Sequence, residues 1–468
     1  MSLKTAVILA GGHGSRMKSN LMKVLHPVAG KPMVGHVVDN AKAAGLDQIV
    51  AVIGYQRERV QEYLGARVEY AVQEQQLGTG HAVLQAEPYL HGDEGFVLVL
   101  YGDNPFLGPE TINRLIDRHE RTGAAATLLS AIVKDPTGLG RIFRNAETGL
   151  LERVIEEKDA TPEQKKITEI WPGVVVFRRK GLVDLLKRVD NNNAQKEYYL
   201  PRAVELLVEA GERVEVACEA SEVEAIAPNN RVQLAEAETW FRRRINEKHM
   251  LNGVTIIDPH STYIDEEVQI GRDTVIWPFT FIHGKAVIGE ECTIGPSATI
   301  RSSNIADRCK VESSVVEESQ VGPDCQIGPM AHLRPGCELE AEVEVGNYAE
   351  LKKAKVGRGV KCHHHSYLGD VTIGERANIG AGAITSNYNG IEKHRTEIGP
   401  MAFIGTNVNL VAPVSIGDDA LVAAGSTVTK SVPAGALSVE RAEQVVKEGY
   451  VAKLKARWKA RKENREGV

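Results

Sequence analysis

The chain has 468 residues, room for two or three domains, with 43% hydrophobic and 25% charged residues, an ordinary balance for a soluble globular protein. A net charge of −6 gives no bulk electrostatic case for nucleic acid, and no apolar run approaches the roughly 20 residues that span a membrane. Six cysteines with no C-x-x-C pair argue against a zinc site and fit small, reduced thiols, which points to a cytoplasmic setting.

The chain opens on Thr5-Ala6-Val7-Ile8-Leu9-Ala10-Gly11-Gly12, too short and too little basic for a signal peptide; it reads as a first buried strand. Further strand-like runs lie at 48–53, 96–100, 126–129 and 174–177, and helical patterns at 33–44, 80–86, 109–121 and 199–210. Strands alternating with helices predict a mostly parallel sheet wound on both faces, with ligands at the carboxyl ends of its strands. The first strand runs into Gly11-Gly12-His13-Gly14-Ser15-Arg16-Met17, with Lys23 following. Such a turn is either a tight βα connection or a cradle of backbone N–H groups for phosphate, and it lacks the P-loop pattern. Tyr101-Gly102-Asp103 ends a very apolar strand, where a lone carboxylate suits Mg²⁺ better than a core.

Residues 230–250 contain neither Gly nor Pro and read as one long charged helix, an arm joining the sheet domain to a repeat region. From about 264 to 428 the chain counts in sixes. Ile264, Ile270, Ile276, Ile282, Ile288, Ile294 and Ile300 keep strict register. After a disturbed stretch the frame returns at Val321, Ile327, Leu333, Leu339, Val345 and Leu351, and again from Ile398 to Val428. A short strand plus a tight turn generates this period, and three such faces make one coil of a triangular prism, a parallel β-helix. Cys292, Cys309, Cys325 and Cys337 fall at the fifth place of a hexad, as do Ala286, Ala298, Ala331 and Ala420, where a small inward residue is needed. The last 18 residues carry Lys453, Lys455, Arg457, Lys459, Arg461, Lys462 and Arg465, either a solvated helix or a contact for an acidic ligand or lipid head group.

Leu9-Ala10-Gly11-Gly12-x-Gly14-x-Arg16-Met17 with Lys23 resembles the signature of the sugar nucleotidyltransferases. Gln73-Glu74-Gln75-Gln76-Leu77-Gly78-Thr79, Tyr101-Gly102-Asp103, Gly138-Leu139-Gly140, Val154-Ile155-Glu156 and Asn229-Asn230-Arg231 follow in the family's order. Leu333-Arg334-Pro335-Gly336, Glu350-Leu351-Lys352-Lys353, Cys362-His363-His364-His365-Ser366-Tyr367 and Asn378-Ile379-Gly380-Ala381 extend the likeness through the prism. Together they resemble the bacterial bifunctional N-acetylglucosamine-1-phosphate uridyltransferases / glucosamine-1-phosphate N-acetyltransferases over nearly the whole chain. That resemblance implies an α/β, Rossmann-like nucleotidyltransferase over 1–230, a helical linker arm over 231–252, and a left-handed parallel β-helix acetyltransferase over 253–468. It implies a cytoplasmic homotrimer that uses acetyl-CoA, UTP and Mg²⁺ to supply cell-wall synthesis.

By residue, the resemblance assigns Leu9, Ala10, Gly11, Gly12, Arg16, Lys23, Gln73, Gly78, Thr79, Tyr101, Gly102, Asp103, Gly140, Glu156, Trp171 and Asn229 to the nucleotide and its sugar, with Mg²⁺ on Asp103 and Asn229. In the prism, His364 is the implied catalytic base, its basicity raised by Glu350; Arg334, Lys352, Tyr367 and Asn378 join Glu350 around the acetyl acceptor. Ala381, Asn387, Tyr388, Thr406, Ala424 and Arg441 fall to acetyl-CoA, the Asn387-Tyr388 pair also closing the sugar pocket. Two departures stand out. Trp171 replaces an amide that both donates and accepts to the sugar, and an indole only donates. His363 and His365 replace a small and an aliphatic residue; alternation along a strand should point them away from His364's face and keep three imidazoles from converging on a metal. The alternative function is an acetyltransferase whose nucleotidyltransferase half is weakened or shifted to another sugar.

Overall fold

The computed structural model of the chain describes residues 3–90, 92–225 and 227–466, the side chains of 463–466 excepted, so that Arg465 of the basic tail lies outside the described side chains. The chain divides into two compact units, Met1–Ile245 and Asn246–Val468.

The first unit is built on a ten-stranded sheet. Its strands are β1 (Leu3–Ala10), β4 (Gln48–Ile53), β5 (Glu69–Val72), β6 (Gly95–Tyr101), β7 (Ala126–Ile132), β8 (Gly140–Arg144), β9 (Leu151–Ile155), β10 (Glu169–Trp171), β11 (Val175–Arg178) and β12 (Val214–Cys218); β2 (Pro27–Val28) and β3 (Lys31–Pro32) form a separate small ribbon. The order is β5-β4-β1-β6-β11-β7-β10-β8-β9, with β12 against β7. The run β5-β4-β1-β6 is parallel, whereas β11 enters antiparallel to both β6 and β7, so the sheet is mixed. Parallel pairing of β1, β4, β5 and β6 brings four carboxyl ends to one edge, at Ala10, Ile53, Val72 and Tyr101. Being covered on both faces, β1 and β6 carry near-continuous apolar runs; Ala6, Val7 and Ile8, and Val97, Leu98 and Val99, are all 0% exposed. Helices α1 (Met33–Ala43), α2 (Arg57–Leu64) and α4 (Pro109–Thr122) turn apolar stripes into one core, and α3 (Thr79–Leu84), α5 (Leu182–Lys187) and α6 (Leu200–Glu209) into the other.

The helix expected between the halves is α7, Arg231–Leu251. Asn230 Oδ1 accepts the N–H of Gln233 at 3.0 Å, which caps its first turn. Within the first unit α7 presents Trp240 and Phe241 to Phe106 at ring distances of 5.2 and 5.5 Å. In the second unit the buried Asn246 donates to Pro259 O and Thr262 O, closing the end of the prism.

The prism is three parallel sheets of eleven, ten and nine short strands. Ile264 pairs with Ile282 and Ile282 with Ile300, three hexads per coil. Every aliphatic residue named above in the hexad frame is buried except Ile270, which is part-exposed. The disturbed stretch is continuous coil. Ile300 pairs with Val316 and Ile305 with Val321, and the inward residues run Ile300, Ile305, Val311, Val316, Val321, so three steps there are five residues long instead of six. Cys292, Cys309, Cys325, Cys337 and Cys362 are buried free thiols; Cys218 is exposed. One coil is interrupted between Ile384–Ser386 and Thr396–Ile398, where Tyr388 bridges Lys393. The C-terminal helix, Tyr450–Glu466, is largely exposed over its described side chains, and no helix of the described residues is long and apolar enough to cross a membrane.

Candidate active sites

At the carboxyl ends of β1, β5 and β6 lies a cleft of about 320 Å³ lined by Leu9, Gly11, Gly12, Arg16, Lys23, Gln73, Gly78, Thr79, Tyr101 and Asp103. The glycine turn is shaped by a steric need. Gly14 has φ +61°, and a Cβ there would sit 2.5 Å from Lys23 Cβ, so any side chain would push the lysine out of place. Lys23 Nζ is 2.5 Å from Asp103 Oδ2 and 2.6 Å from Asn229 Oδ1, and Arg16 Nη2 donates to the same Asn229 oxygen at 2.8 Å. A carboxylate and an amide oxygen thus converge on one cationic point. Asp103 Oδ1, meanwhile, is buried with no hydrogen-bond partner. A buried carboxylate oxygen left unpaired costs free energy, and two hard oxygen donors at this spot fit Mg²⁺, which keeps its remaining positions for water and phosphate. Among the described residues no cluster of three His, Cys, Asp or Glu forms a metal site, so the fit rests on Asp103 with Asn229.

Across the cleft Gln73, 4% exposed, donates to Gly78 O at 3.1 Å, and Gly78 adopts φ +118° with Tyr198 O only 2.6 Å from where a Cβ would stand. This close approach fixes the loop that carries Thr79. Burial first, then Glu156, pushes the Tyr101 phenol well above its ordinary value. Gly102 N donates to Leu9 O, tying β6 to β1 behind Asp103. Ala10 is a 1%-exposed core residue. Gln76 and Glu197 also line the cleft, and the motifs do not single them out.

Gly140, Glu156 and Trp171 form a second neighbourhood. Glu156 lines a cavity of about 400 Å³ with Asp159, Asn192, Asn193 and Tyr199. Burial above all, and then Asp159 and Glu197, push its carboxyl up; Tyr199 is pushed up to about 12 by burial. A Cβ on Gly140 would lie 3.7 Å from Glu156 Oε1, so the two are neighbours as expected. Trp171 departs from the expectation of a sugar contact. It is 4% exposed in the core, edge-on to Tyr101, and its Nε1 donates to Val174 O at 3.0 Å. Its single donor is spent inside its own turn, so the indole offers no polar group to a sugar.

In the prism, His364 is exposed at the end of the strand Lys361–His364, and its ring makes no hydrogen bond among the described residues. Glu350 is not its partner. The Glu350 carboxylate instead accepts from Arg334 Nη1 at 2.8 Å, its neighbour one coil down in the same sheet. The carboxylate–imidazole pair belongs to the adjacent residue: His363 Nε2 donates to Glu344 Oε2 at 2.6 Å. Nor do the two imidazoles point apart. Their centroids are 5.9 Å apart at 84°, at the point where the strand ends on His364, just before His365 at φ +42°.

Arg334, Lys352 and Lys393 gather positive charge beside Tyr367. The Lys352 ammonium is pulled below its ordinary value, first by the neighbouring Lys393 and then by Arg334. Crowded like charges of this kind are relieved by an anion. Lys393 sits in the loop interrupting the coil; that loop is visible in the sequence, the lysine's role is not. Asn387, 6% exposed, donates to Asp370 at 2.6 Å, and Tyr388 is exposed. Asn378 is part-exposed, in register with Phe403.

Above His364 the positions expected to meet acetyl-CoA fall into a file along one corner. Gly382 N donates to His364 O, Asn407 N to Ala381 O and Gly425 N to Thr406 O, and Arg441 Nη1 reaches Ala424 O at 3.2 Å. His364, Ala381, Thr406, Ala424 and Arg441 therefore mark successive coils of one edge, a track for an extended ligand ending at the imidazole.

A model of the MobA-like NTP transferase domain matches residues 6–196, and one of the bacterial transferase hexapeptide (six repeats) matches 267–302 and 395–430. The protein named bifunctional protein GlmU of Symbiobacterium thermophilum is 66% identical over 471 residues, covering 100% of both chains. Proteins of the same name from Geobacillus thermodenitrificans and Halalkalibacterium halodurans are 50% and 51% identical, covering 98% and 97% of this chain and 100% and 99% of their own.

Proposed function

Because the chain belongs to the family of the bifunctional GlmU proteins, and is an enzyme with a nucleotidyltransferase and a hexapeptide acyltransferase half, we propose that it makes UDP-N-acetylglucosamine in two steps. The first joins the acetyl group of acetyl-CoA to the amine of glucosamine-1-phosphate. An ammonium is no nucleophile, so His364 takes a proton as the nitrogen attacks the thioester carbon. The carbon–sulfur bond breaks and the thiolate of CoA is protonated as it leaves. Arg334, Lys352 and Lys393 hold the sugar phosphate by charge-assisted hydrogen bonds, with Tyr367, Asn378, Asn387 and Tyr388 around the sugar. CoA lies along Ala381, Thr406, Ala424 and Arg441.

The second step is attack by the phosphate oxygen of N-acetylglucosamine-1-phosphate on the α-phosphorus of UTP, with pyrophosphate leaving. Its demands are positioning and charge neutralisation. Arg16 and Lys23 meet the phosphates at the glycine turn, Gln73 and Thr79 face the nucleotide base, and Gly140 and Glu156 face the sugar. Bound by Asp103 and Asn229, Mg²⁺ would neutralise phosphate charge there.

The observation that carries this reading is that each compact unit holds its own constellation: the orphaned Asp103 oxygen among cations in one, and an imidazole heading a corner file in the other. The test is to give the purified chain acetyl-CoA with glucosamine-1-phosphate and, separately, UTP, Mg²⁺ and N-acetylglucosamine-1-phosphate; absence of CoA release or of pyrophosphate release removes the corresponding half. Trp171 favours a second reading of the sheet half, relaxed sugar choice, which comparable kcat/KM for N-acetylglucosamine-1-phosphate and glucose-1-phosphate would establish. We take the working assembly to be a cytoplasmic homotrimer in which prisms pack side by side.

A further inference from the structure

His363 is half-exposed, yet it is held on one side by the Glu344 carboxylate at 2.6 Å and on the other stands edge-on to His364, centroids 5.9 Å apart. Glu344 is itself placed by the ladder, where it pairs with Lys361 one coil up and also takes that ammonium at 3.1 Å. The His364 ring has no hydrogen bond among the described residues, and Glu350 is engaged by Arg334. On an exposed corner an imidazole without a hydrogen bond samples several rotamers, and only one aims its lone pair at a bound amine. We propose that Glu344 and His363 form a positioning pair: the carboxylate fixes the His363 ring, and that ring, packed at right angles, fixes His364 in the orientation that removes the proton. His363 touches neither substrate in this arrangement. It acts through His364, so its loss lowers the rate of acetyl transfer and leaves substrate binding alone.

This rests on His364 being the base, and the experiment separates the two. His364→Ala is assayed first; retained acetyl transfer would overturn both the base assignment and the pair. With His364→Ala inactive, His363→Ala should lower acetyl-transfer kcat roughly tenfold to a hundredfold, with KM for both substrates within about twofold of the parent and uridyl transfer unchanged. Glu344→Gln should cost a similar factor, and the double variant no more than either single, since the two act in series. Lys361→Met, which removes the other partner of Glu344, should leave kcat in place. Slower exchange between His364 side-chain NMR environments in the parent than in His363→Ala would show the ordering directly. An unchanged kcat in His363→Ala, a loss confined to KM, or additive effects of the two single variants would each overturn the pair.

Discussion

At the scale of single residues, the two sites make opposite demands on their neighbours. Asp103 pairs with Lys23 and keeps one buried oxygen unpaired, so removing the carboxylate leaves Lys23, like Arg16, with only the Asn229 amide. Asp103→Ala should abolish Mg²⁺-dependent pyrophosphate release and spare CoA release, and His364→Ala should do the reverse, by about 10²–10⁴ as expected for a lost general base. Parallel assays of each variant check both; equal loss of the two activities in either folded variant would contradict autonomous sites. Trp171 behaves differently from a sugar-binding residue. Replacing this core indole by Asn creates a cavity and buries an unpaired amide, so Trp171→Asn should destabilise the sheet half by about 3–5 kcal/mol and not restore a sugar contact. The denaturant midpoint measures the first, and kcat/KM for the two sugar phosphates the second.

At the scale of elements, what is legible in the sequence is whatever repeats or lies in one strand. Strands with apolar runs, the Gly- and Pro-free helix α7 and the six-residue period all appear where composition places them. The disturbed stretch of the repeat is hidden because three-dimensional register survives a shortened corner: Ile300 and Val316 still pair although the count in sixes is lost. Side-chain partners are less legible. The choice of Glu344 by His363, and of Arg334 by Glu350, depends on which residues lie one coil apart, which a linear motif does not state. His119 carries a prediction at this scale, being buried on α4 against Thr127 at 2.9 Å. Burial foremost, and then Arg178, hold its imidazole at about 4. The unfolded chain binds that proton near pH 6.5 while the native state refuses it until about 4, so stability falls as pH drops through this window. The sheet half should lose up to about 2 kcal/mol from this residue between pH 7 and 5, and His119→Gln should show a smaller loss; urea unfolding at the two pH values decides it.

At the scale of the whole molecule, the prism leaves an apolar strip beside its corner file. Phe403, Leu421 and Leu437 are stacked in register on one sheet and are 47%, 43% and 65% exposed. Outward positions of a coil facing water alone would carry polar residues, as Lys310 and Gln326 do lower on the same sheet. The strip runs along the coils that carry Thr406 and Ala424, so a neighbouring prism packed against it would also wall the proposed acetyl-CoA track. Association is therefore expected to be a condition of acetyl transfer and not of uridyl transfer. The chain should scatter light as a trimer. Leu421→Asp, which places a charge in the middle of the strip, should shift it toward monomer, with acetyl transfer lost in proportion and pyrophosphate release retained. Light scattering coupled to the two assays on each chromatographic peak reads this out. A monomeric peak that acetylates as fast as the parent would separate the strip from the site and leave the track complete within one chain.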